Sequence, residues 1–189
     1  IQKAAADAIV PVTLELGGKS PQIVFDDADL DAAIPFLVNA GVQNAGQTCS
    51  ASSRILVQRG IYDKLTKMMA ERYHAMKVGP AMDDLDVGPL ISRRQKEIVE
   101  GFVRHAGPAR IVAQATVIKG APDGGHYFAP TLYAGIDPDD PLAQHEIFGP
   151  VQAIIPFDTE EDAVRIANGT AYGLVASIWT HDGARQMRM

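Results

Sequence analysis

The apolar residues of this chain recur with two different periods, and the two periods alternate along its length. Between residues 29 and 42 they fall three or four positions apart, which is the spacing of an amphipathic helix. Between residues 151 and 157 they form a short, nearly continuous apolar run, which favours a buried strand. Because such strands and helices alternate along most of the chain, the pattern predicts an α/β fold with a largely parallel sheet.

The other predicted elements follow from the same two periods together with capping residues and breakers. Helices are expected over residues 1–9, 29–42, 61–76, 92–105, 159–168 and from 182 onward. Strands are expected over residues 12–16, 23–25, 54–58, 111–113, 131–136, 151–157 and 174–180. Pro35 should kink or delay the second helix, and residues 120–130 should form a surface loop.

Composition and charge narrow the class of protein. The formal net charge of −6 disfavours nucleic acid, whose phosphates require clustered Lys and Arg. No run of about 18 apolar residues occurs, so no membrane span is expected. A single cysteine without an export signal fits a reducing compartment and predicts a cytoplasmic protein. The chain starts in an Ala-rich segment that is typical of the end of a helix, and it stops in residues 182–189, which are typical of a helix that has just begun. We therefore expect a fragment of a longer protein.

Several familiar short motifs are incomplete in this sequence. Gly18-Lys19-Ser20 resembles the end of a phosphate-binding loop, but position 13 is Thr where that loop needs glycine. His145-Glu146 begins like a zinc-protease motif, yet position 149 is Gly, and the five histidines lack metal-ligand spacing. The residues therefore predict neither a phosphate loop nor a metal site.

Two residues remain as candidates for chemistry, and each has an ordinary alternative. Cys49 lies among small polar residues, where a thiolate could attack a carbonyl carbon. A free cysteine is, however, more often a small buried apolar residue. Glu15 interrupts an apolar run just before Gly17-Gly18, a place where α/β folds often put functional groups. A solvent-facing or salt-bridged glutamate is the commoner role for that residue type.

Three motifs together resemble the aldehyde dehydrogenase superfamily, and the resemblance covers essentially the whole chain. Residues 14–21, LELGGKSP, are similar to its glutamate signature, and residues 44–49, NAGQTC, to its cysteine signature. Glu15 and Cys49 lie 34 residues apart, as in that family. Residues 146–150, EIFGP, resemble its cofactor-ribose segment. The resemblance implies a three-layer α/β/α catalytic domain.

The resemblance also implies the roles of the reacting groups. Cys49 would attack the aldehyde carbon and form a thiohemiacetal, while its backbone N–H helps to hold the oxyanion. After oxidation to a thioester, Glu15 would act as the general base on water. The product would be a carboxylic acid, and the oxidant NAD or NADP.

Further residues would bind the cofactor and the aldehyde. Glu146 would hydrogen-bond the nicotinamide ribose, with Phe148 packed beside it. The carbonyl of Leu16 would orient the carboxamide, and Gly17 would let the cofactor approach the backbone. The resemblance places three more residues along the aldehyde tunnel: Gln47, Thr48 and Ser50.

By the same resemblance, residues 1–16 would end a dinucleotide-binding domain and residues 17–189 would form a truncated catalytic domain. The fragment alone should have little or no dehydrogenase activity, and the full-length enzyme should be a homo-oligomer, a dimer or a tetramer. Two rival hypotheses are a CoA-acylating member and a non-catalytic member of the superfamily. A cysteine hydrolase is disfavoured because no histidine lies in a motif that would orient it toward Cys49.

Overall fold

The computed structural model describes residues 1–107 and 110–189, and these residues form alternating helices and strands. The strands are β1 (Pro21–Val24), β2 (Arg54–Gln58), β3 (Lys77–Val78), β4 (Ile111–Gln114), β5 (Thr116–Val117), β6 (Thr131–Ala134), β7 (Val151–Phe157) and β8 (Ser177–Trp179). The helices are α1 (Gln2–Asp7), α2 (Leu30–Val42), α3 (Tyr62–Ala75), α4 (Arg93–Ala106), α5 (Pro141–Gln144), α6 (Glu160–Ala167) and α7 (Gly183–Arg188). Short 3-10 turns occur at Gln43–Gly46, Arg59–Ile61 and Ala81–Asp83.

The principal sheet has six strands in the order β4-β6-β7-β2-β1-β8. All neighbouring pairs are parallel except β4 and β6, which run antiparallel at one edge. A second, two-stranded sheet joins β3 to β5 in parallel. The predicted α/β fold with a largely parallel sheet is therefore confirmed.

Helices cover both faces of this sheet. On one face lie α2 and α3, which contact each other and the central strands, and α6 contacts β1 and β2. Gln22 pairs with Ile55, the residue after Arg54, so the side chains of Gln22 and Arg54 point to opposite faces of the sheet. The Gln22 side chain hydrogen-bonds the α2 backbone on one face, and the Arg54 side chain hydrogen-bonds the α6 backbone on the other. The result is the expected three-layer arrangement, with strands β2 and β7 buried in its centre.

Helix α2 shows how directly the apolar pattern determines the packing. Asp29 caps its first turn by accepting a hydrogen bond from the N–H of Ala32, at 3.1 Å. The helix begins directly after Asp29, so Pro35 does not delay it. Its buried positions are the ones that the period predicts: Leu30, Ala33, Ile34, Leu37, Val38, Gly41 and Val42.

The predicted strand over residues 12–16 is wrong. This segment is exposed and forms no strand, because no other described strand lies beside it to receive its backbone hydrogen bonds. Its alternation of apolar side chains is real, but a strand also needs a neighbouring strand to pair with.

Among the described residues, no helix is both long and apolar enough to cross a membrane.

Candidate active site

Cys49 lies in a tight turn between α2 and β2. The N–H of Ala51 closes the turn by donating to the carbonyl of Thr48, at 3.1 Å. Just beyond it, the N–H of Ser52 donates to the carbonyl of Ala40 near the end of α2, at 3.0 Å. Cys49 itself is partly exposed and carries a free thiol. These bonds hold the turn against the end of α2, and Cys49 stays partly exposed.

The backbone just before this turn is strained. Asn44, Ala45 and Gly46 all adopt positive φ values, of 50°, 54° and 71°. Asparagine and glycine tolerate this region, whereas Ala45 is disfavoured there by about 1 to 2 kcal/mol. The Asn44 and Gln47 side-chain amides each donate to the other residue's carbonyl, both at 3.0 Å. These reciprocal bonds stabilise the strained approach to Cys49.

The Gly17-Gly18 segment, which lies just before β1, brings the cysteine turn and the Glu146 carboxylate together. A β-carbon at Gly18 would collide with the carbonyl oxygen of Cys49, and one at Gly17 would collide with Oε2 of Glu146. The N–H of Gly18 donates to Oε1 of Glu146, at 3.1 Å. Glycine is required at both positions, because this protein's own atoms occupy the space that a side chain would need.

The segment that carries Glu146 is also held in an unusual conformation. Phe148 has a φ of 54°, which is uncommon for a residue other than glycine. From α4, the Gln95 side-chain amide donates to the carbonyls of Ile147 and Phe148, at 3.1 and 2.8 Å. The hydroxyl of Tyr172 accepts a weaker bond from the N–H of Glu146, at 3.4 Å. Residues distant in sequence thus hold the backbone that carries the Glu146 side chain.

Two buried basic side chains, those of Lys19 and Arg54, lie next to the Gly17-Gly18 segment, and the sequence analysis identified neither. The Arg54 guanidinium donates to the carbonyls of Lys19, Ile166 and Ala167, at 2.9, 2.8 and 2.8 Å. Burial lowers the pKa of Arg54 to about 10. The ammonium of Lys19 is buried without a hydrogen-bond partner among the residues described. Burial, and secondarily Arg54, lowers the pKa of Lys19 to about 7, against an opposing effect of Glu146.

The structure brings together only some of the predicted site residues. Cys49, Gly17 and Glu146 meet at the Gly17-Gly18 segment. Three partly buried residues, Gln47, Thr48 and Ser50, flank the cysteine, and the Thr48 hydroxyl has no partner in the described part of the chain. Phe148 is 38% exposed. Glu15 and Leu16 lie on the exposed segment just before Gly17 and form no hydrogen bond to the other predicted site residues in the described structure. The catalytic and binding roles of these residues stay predictions.

Comparisons with known proteins place this geometry in context. A model of the aldehyde dehydrogenase family matches residues 1–189. A 3,6-anhydro-alpha-L-galactose dehydrogenase from Streptomyces coelicolor is 41% identical over 97% of this chain and 38% of its own length. Among solved structures, a candidate aldehyde dehydrogenase from Burkholderia cenocepacia is 54% identical, with a TM-score of 0.93, over 99% of this chain and 40% of its own.

A second solved structure contains a cofactor. It is a Mycobacterium tuberculosis aldehyde dehydrogenase complexed with NAD+, 44% identical to this chain, with a TM-score of 0.89. The match covers 99% of this chain and 39% of that protein. This chain thus spans about two fifths of the length of the relatives that it matches.

Proposed function

Because this chain belongs to the aldehyde dehydrogenase family, we propose that it supplies the nucleophile and the base of an aldehyde-oxidising enzyme. The observation that carries the proposal is the Gly17-Gly18 segment, where Gly18 lies against the Cys49 carbonyl and its N–H donates to the Glu146 carboxylate. Residues 1–16 would end a dinucleotide-binding domain, and residues 17–189 would belong to the catalytic domain. The activity is proposed for a longer polypeptide that contains both.

The groups around Gly17 and Gly18 fit a nicotinamide nucleotide, NAD or NADP. Oε2 of Glu146 accepts no hydrogen bond within the described part of the chain, and a ribose hydroxyl needs such an acceptor. Leu16 is exposed, which leaves its carbonyl accessible to a carboxamide. Gly17 and Phe148 would complete the contacts. The chemistry that such a cofactor supplies is removal of one hydrogen, with its electron pair, from the substrate carbon.

Cys49 begins the reaction. Its thiolate forms a bond to the aldehyde carbon, and the carbonyl π electrons move onto oxygen. The backbone N–H of Cys49 has no acceptor among the described residues, which supports a role as oxyanion donor. The aldehyde carbon becomes tetrahedral, and a tetrahedral alkoxide carbon releases hydrogen with its electron pair far more readily than a free aldehyde does. Gln47, Thr48 and Ser50 would line the path to the sulfur.

Glu15 completes the reaction on the thioester that Cys49 carries after oxidation. Its carboxylate takes a proton from water as the water oxygen bonds to the acyl carbon. The carbon–sulfur bond then breaks, which restores the Cys49 thiolate and releases the carboxylic acid. Glu15 is exposed and is free of hydrogen bonds and ion pairs within the described residues, so its carboxylate is available to water.

The test of this mechanism is Glu15→Gln in the complete protein. The substitution keeps the shape of the side chain and removes the base, so the first turnover should still yield a burst of NADH or NADPH. Steady-state turnover should fall by about a hundredfold or more, which is the usual contribution of a general base. Stopped-flow absorbance at 340 nm measures both phases. Glu71→Gln, at an exposed position on α3, is the matched control and should change neither phase.

An unchanged steady-state rate in Glu15→Gln would reject Glu15 as the base. Acyl-CoA formation that depends on added coenzyme A would indicate the CoA-acylating type instead.

Iodoacetamide should alkylate Cys49 much faster than free cysteine at neutral pH, and a slowly reacting thiol would favour a non-catalytic protein. A cytoplasmic homo-oligomer, dimer or tetramer, is part of the proposal, and sedimentation of the complete protein would test its assembly.

A further inference from the structure

Gln152 is a polar residue near the start of an apolar strand, and both of its side-chain polar atoms form hydrogen bonds. It lies on β7 and is fully buried. Its Nε2 donates to the carbonyls of Ser52 and Leu37, at 2.7 and 2.9 Å. Its Oε1 accepts from the hydroxyl of Tyr73, at 2.7 Å. Since two carbonyls can be satisfied only by the NH2 group, the orientation of the amide is fixed.

The bond to Ser52 connects this amide to the cysteine turn. Ser52 follows Cys49 by three residues, and its N–H is already tied to the carbonyl of Ala40. The next residue, Ser53, accepts from the N–H of Ala153 at 2.8 Å. Gln152 therefore supplies the only side chain that anchors the exit from the turn within the described residues. A backbone carbonyl left without its donor in this buried place would be strongly disfavoured.

Helix α2 leaves room for the Gln152 amide at Gly41. A β-carbon at Gly41 would collide with the end of the Gln152 side chain. The amide is thus enclosed between α2, α3 and the cysteine turn. Buried glutamine is uncommon in strands unless its amide is fully paired, and here each contact leads to a different element.

We infer that Gln152 is a positioning residue for Cys49, acting through the Ser52 carbonyl. The inference rests on the proposed function of Cys49 as a nucleophile. An apolar side chain of the same size would leave the Ser52 carbonyl unpaired, and the turn would shift to find another donor. A displacement of about 1 Å at a reacting group can lower a rate by about a hundredfold.

Gln22 provides a matched control. It is also buried, lies on β1, and its Nε2 donates to the same Leu37 carbonyl, at 3.4 Å. Its Oε1 accepts from the Ser177 hydroxyl and the Trp179 indole, at 3.1 and 3.2 Å. Gln22 does not contact the cysteine turn in the described structure. Gln22→Met and Gln152→Met therefore remove similar buried amides, but only the second reaches Ser52.

The experiment compares these two variants with the parent in the complete protein. Hydrogen exchange of the peptide that contains residues 47–53 should speed up by about tenfold or more in Gln152→Met and stay unchanged in Gln22→Met. The kcat for aldehyde oxidation should fall by about tenfold to a hundredfold in Gln152→Met alone. The KM values for aldehyde and cofactor should stay within about twofold of the parent. Both variants should lower the unfolding midpoint.

Equal exchange in the two variants, or a kcat loss that follows stability in both, would overturn the inference. If Gln152→Met does not fold, Gly41→Ala displaces the amide from the opposite side, and it should speed exchange of the same peptide. Unchanged exchange in Gly41→Ala would overturn the inference as well. Hydrogen exchange can be measured without catalysis. A parent protein without dehydrogenase activity would therefore reject the proposed function, and the exchange data would still show whether Gln152 holds the cysteine turn.

Discussion

Gly17 and Gly18 have roles that their sequence context described only in part. The motif resemblance assigned Gly17 to the approach of a cofactor, which stays a prediction. The structure adds that both glycines face atoms of this chain: the Glu146 carboxylate at Gly17 and the Cys49 carbonyl at Gly18. A linear sequence could indicate that a small residue was needed, but it could not indicate which neighbour required it.

Gly18→Ala should destabilise the protein by about 1 to 3 kcal/mol, because a new methyl group would force Cys49 or the turn to move. Gly101→Ala is the contrasting control, since Gly101 lies inside α4 with nothing within 4 Å of an added β-carbon. It should stabilise by about 0.5 to 1 kcal/mol, because alanine is the better helix former. Urea unfolding of both variants measures the difference. Equal effects of the two substitutions would contradict the contacts at Gly18.

Lys19 should make the stability of this chain depend on pH. Its pKa is lowered from 10.5 to about 7, so the folded chain binds this proton less tightly than the unfolded chain does. Below about pH 7, Lys19 is protonated in both the folded and the unfolded chain, so the folded chain bears the full free-energy cost of burying the charge. As the pH rises from 7 to 10 that penalty disappears, so stability should rise with pH.

Lys19→Met should abolish this rise and should stabilise the chain at pH 7 by on the order of a few kcal/mol. The measurement is the unfolding free energy of parent and variant at pH 7 and pH 9. Lys64→Met, at an exposed position on α3, serves as the control and should leave the pH dependence unchanged. A parallel pH dependence in parent and Lys19→Met would show that Lys19 does not titrate in this range.

The longer elements were predicted well because one period runs through each of them. The predicted bounds of β2 and β7 agree with the structure, and α2, α4 and α6 each begin one residue after the predicted starts at residues 29, 92 and 159. The two-residue strands β3 and β5 were missed because two residues contain no period. The predicted strand over residues 12–16 failed for the opposite reason, since it had a period but no neighbouring strand.

Helix α6 supports a test of capping. The hydroxyl of Thr159 accepts from the N–H of Asp162 at 3.1 Å, and the Asp162 carboxylate accepts from the N–H of Thr159 at 3.3 Å. Thr159→Ala should lower stability by about 1 kcal/mol, whereas Thr159→Ser should retain most of it. Thermal unfolding followed by circular dichroism compares them. A serine variant as unstable as the alanine variant would argue against the capping hydroxyl.

Across the whole molecule, the site is built from contacts between residues that are far apart in sequence. The local motifs identified Cys49, Glu15 and Glu146 as candidates, because each carries its own signature. Arg54 and Gln152 were missed because nothing in their neighbouring residues distinguishes them. The available signal was a polar residue within or at the start of an apolar strand, and its importance became visible only in three dimensions.

The 189-residue chain alone should produce little or no NADH or NADPH from any aldehyde, because it spans about two fifths of its relatives' length. The complete protein should be active in the same assay. An aldehyde panel with NAD+ and NADP+, followed at 340 nm, compares the two. Robust cofactor reduction by the short chain would contradict the proposed division into domains.

The order of the strands also determines when this site can first exist during synthesis. Gln22 on β1 pairs with Ser177 on β8, and Gly18 hydrogen-bonds Glu146. Residues near the start of this chain therefore need partners that are synthesised much later. At 5 to 20 residues per second, a ribosome needs roughly 10 to 30 s to make the intervening chain. Throughout that interval β1 is an apolar strand with an open edge. We therefore expect a nascent chain that stops before β8 to be more prone to aggregation than one that includes it, because one edge of β1 is still unpaired.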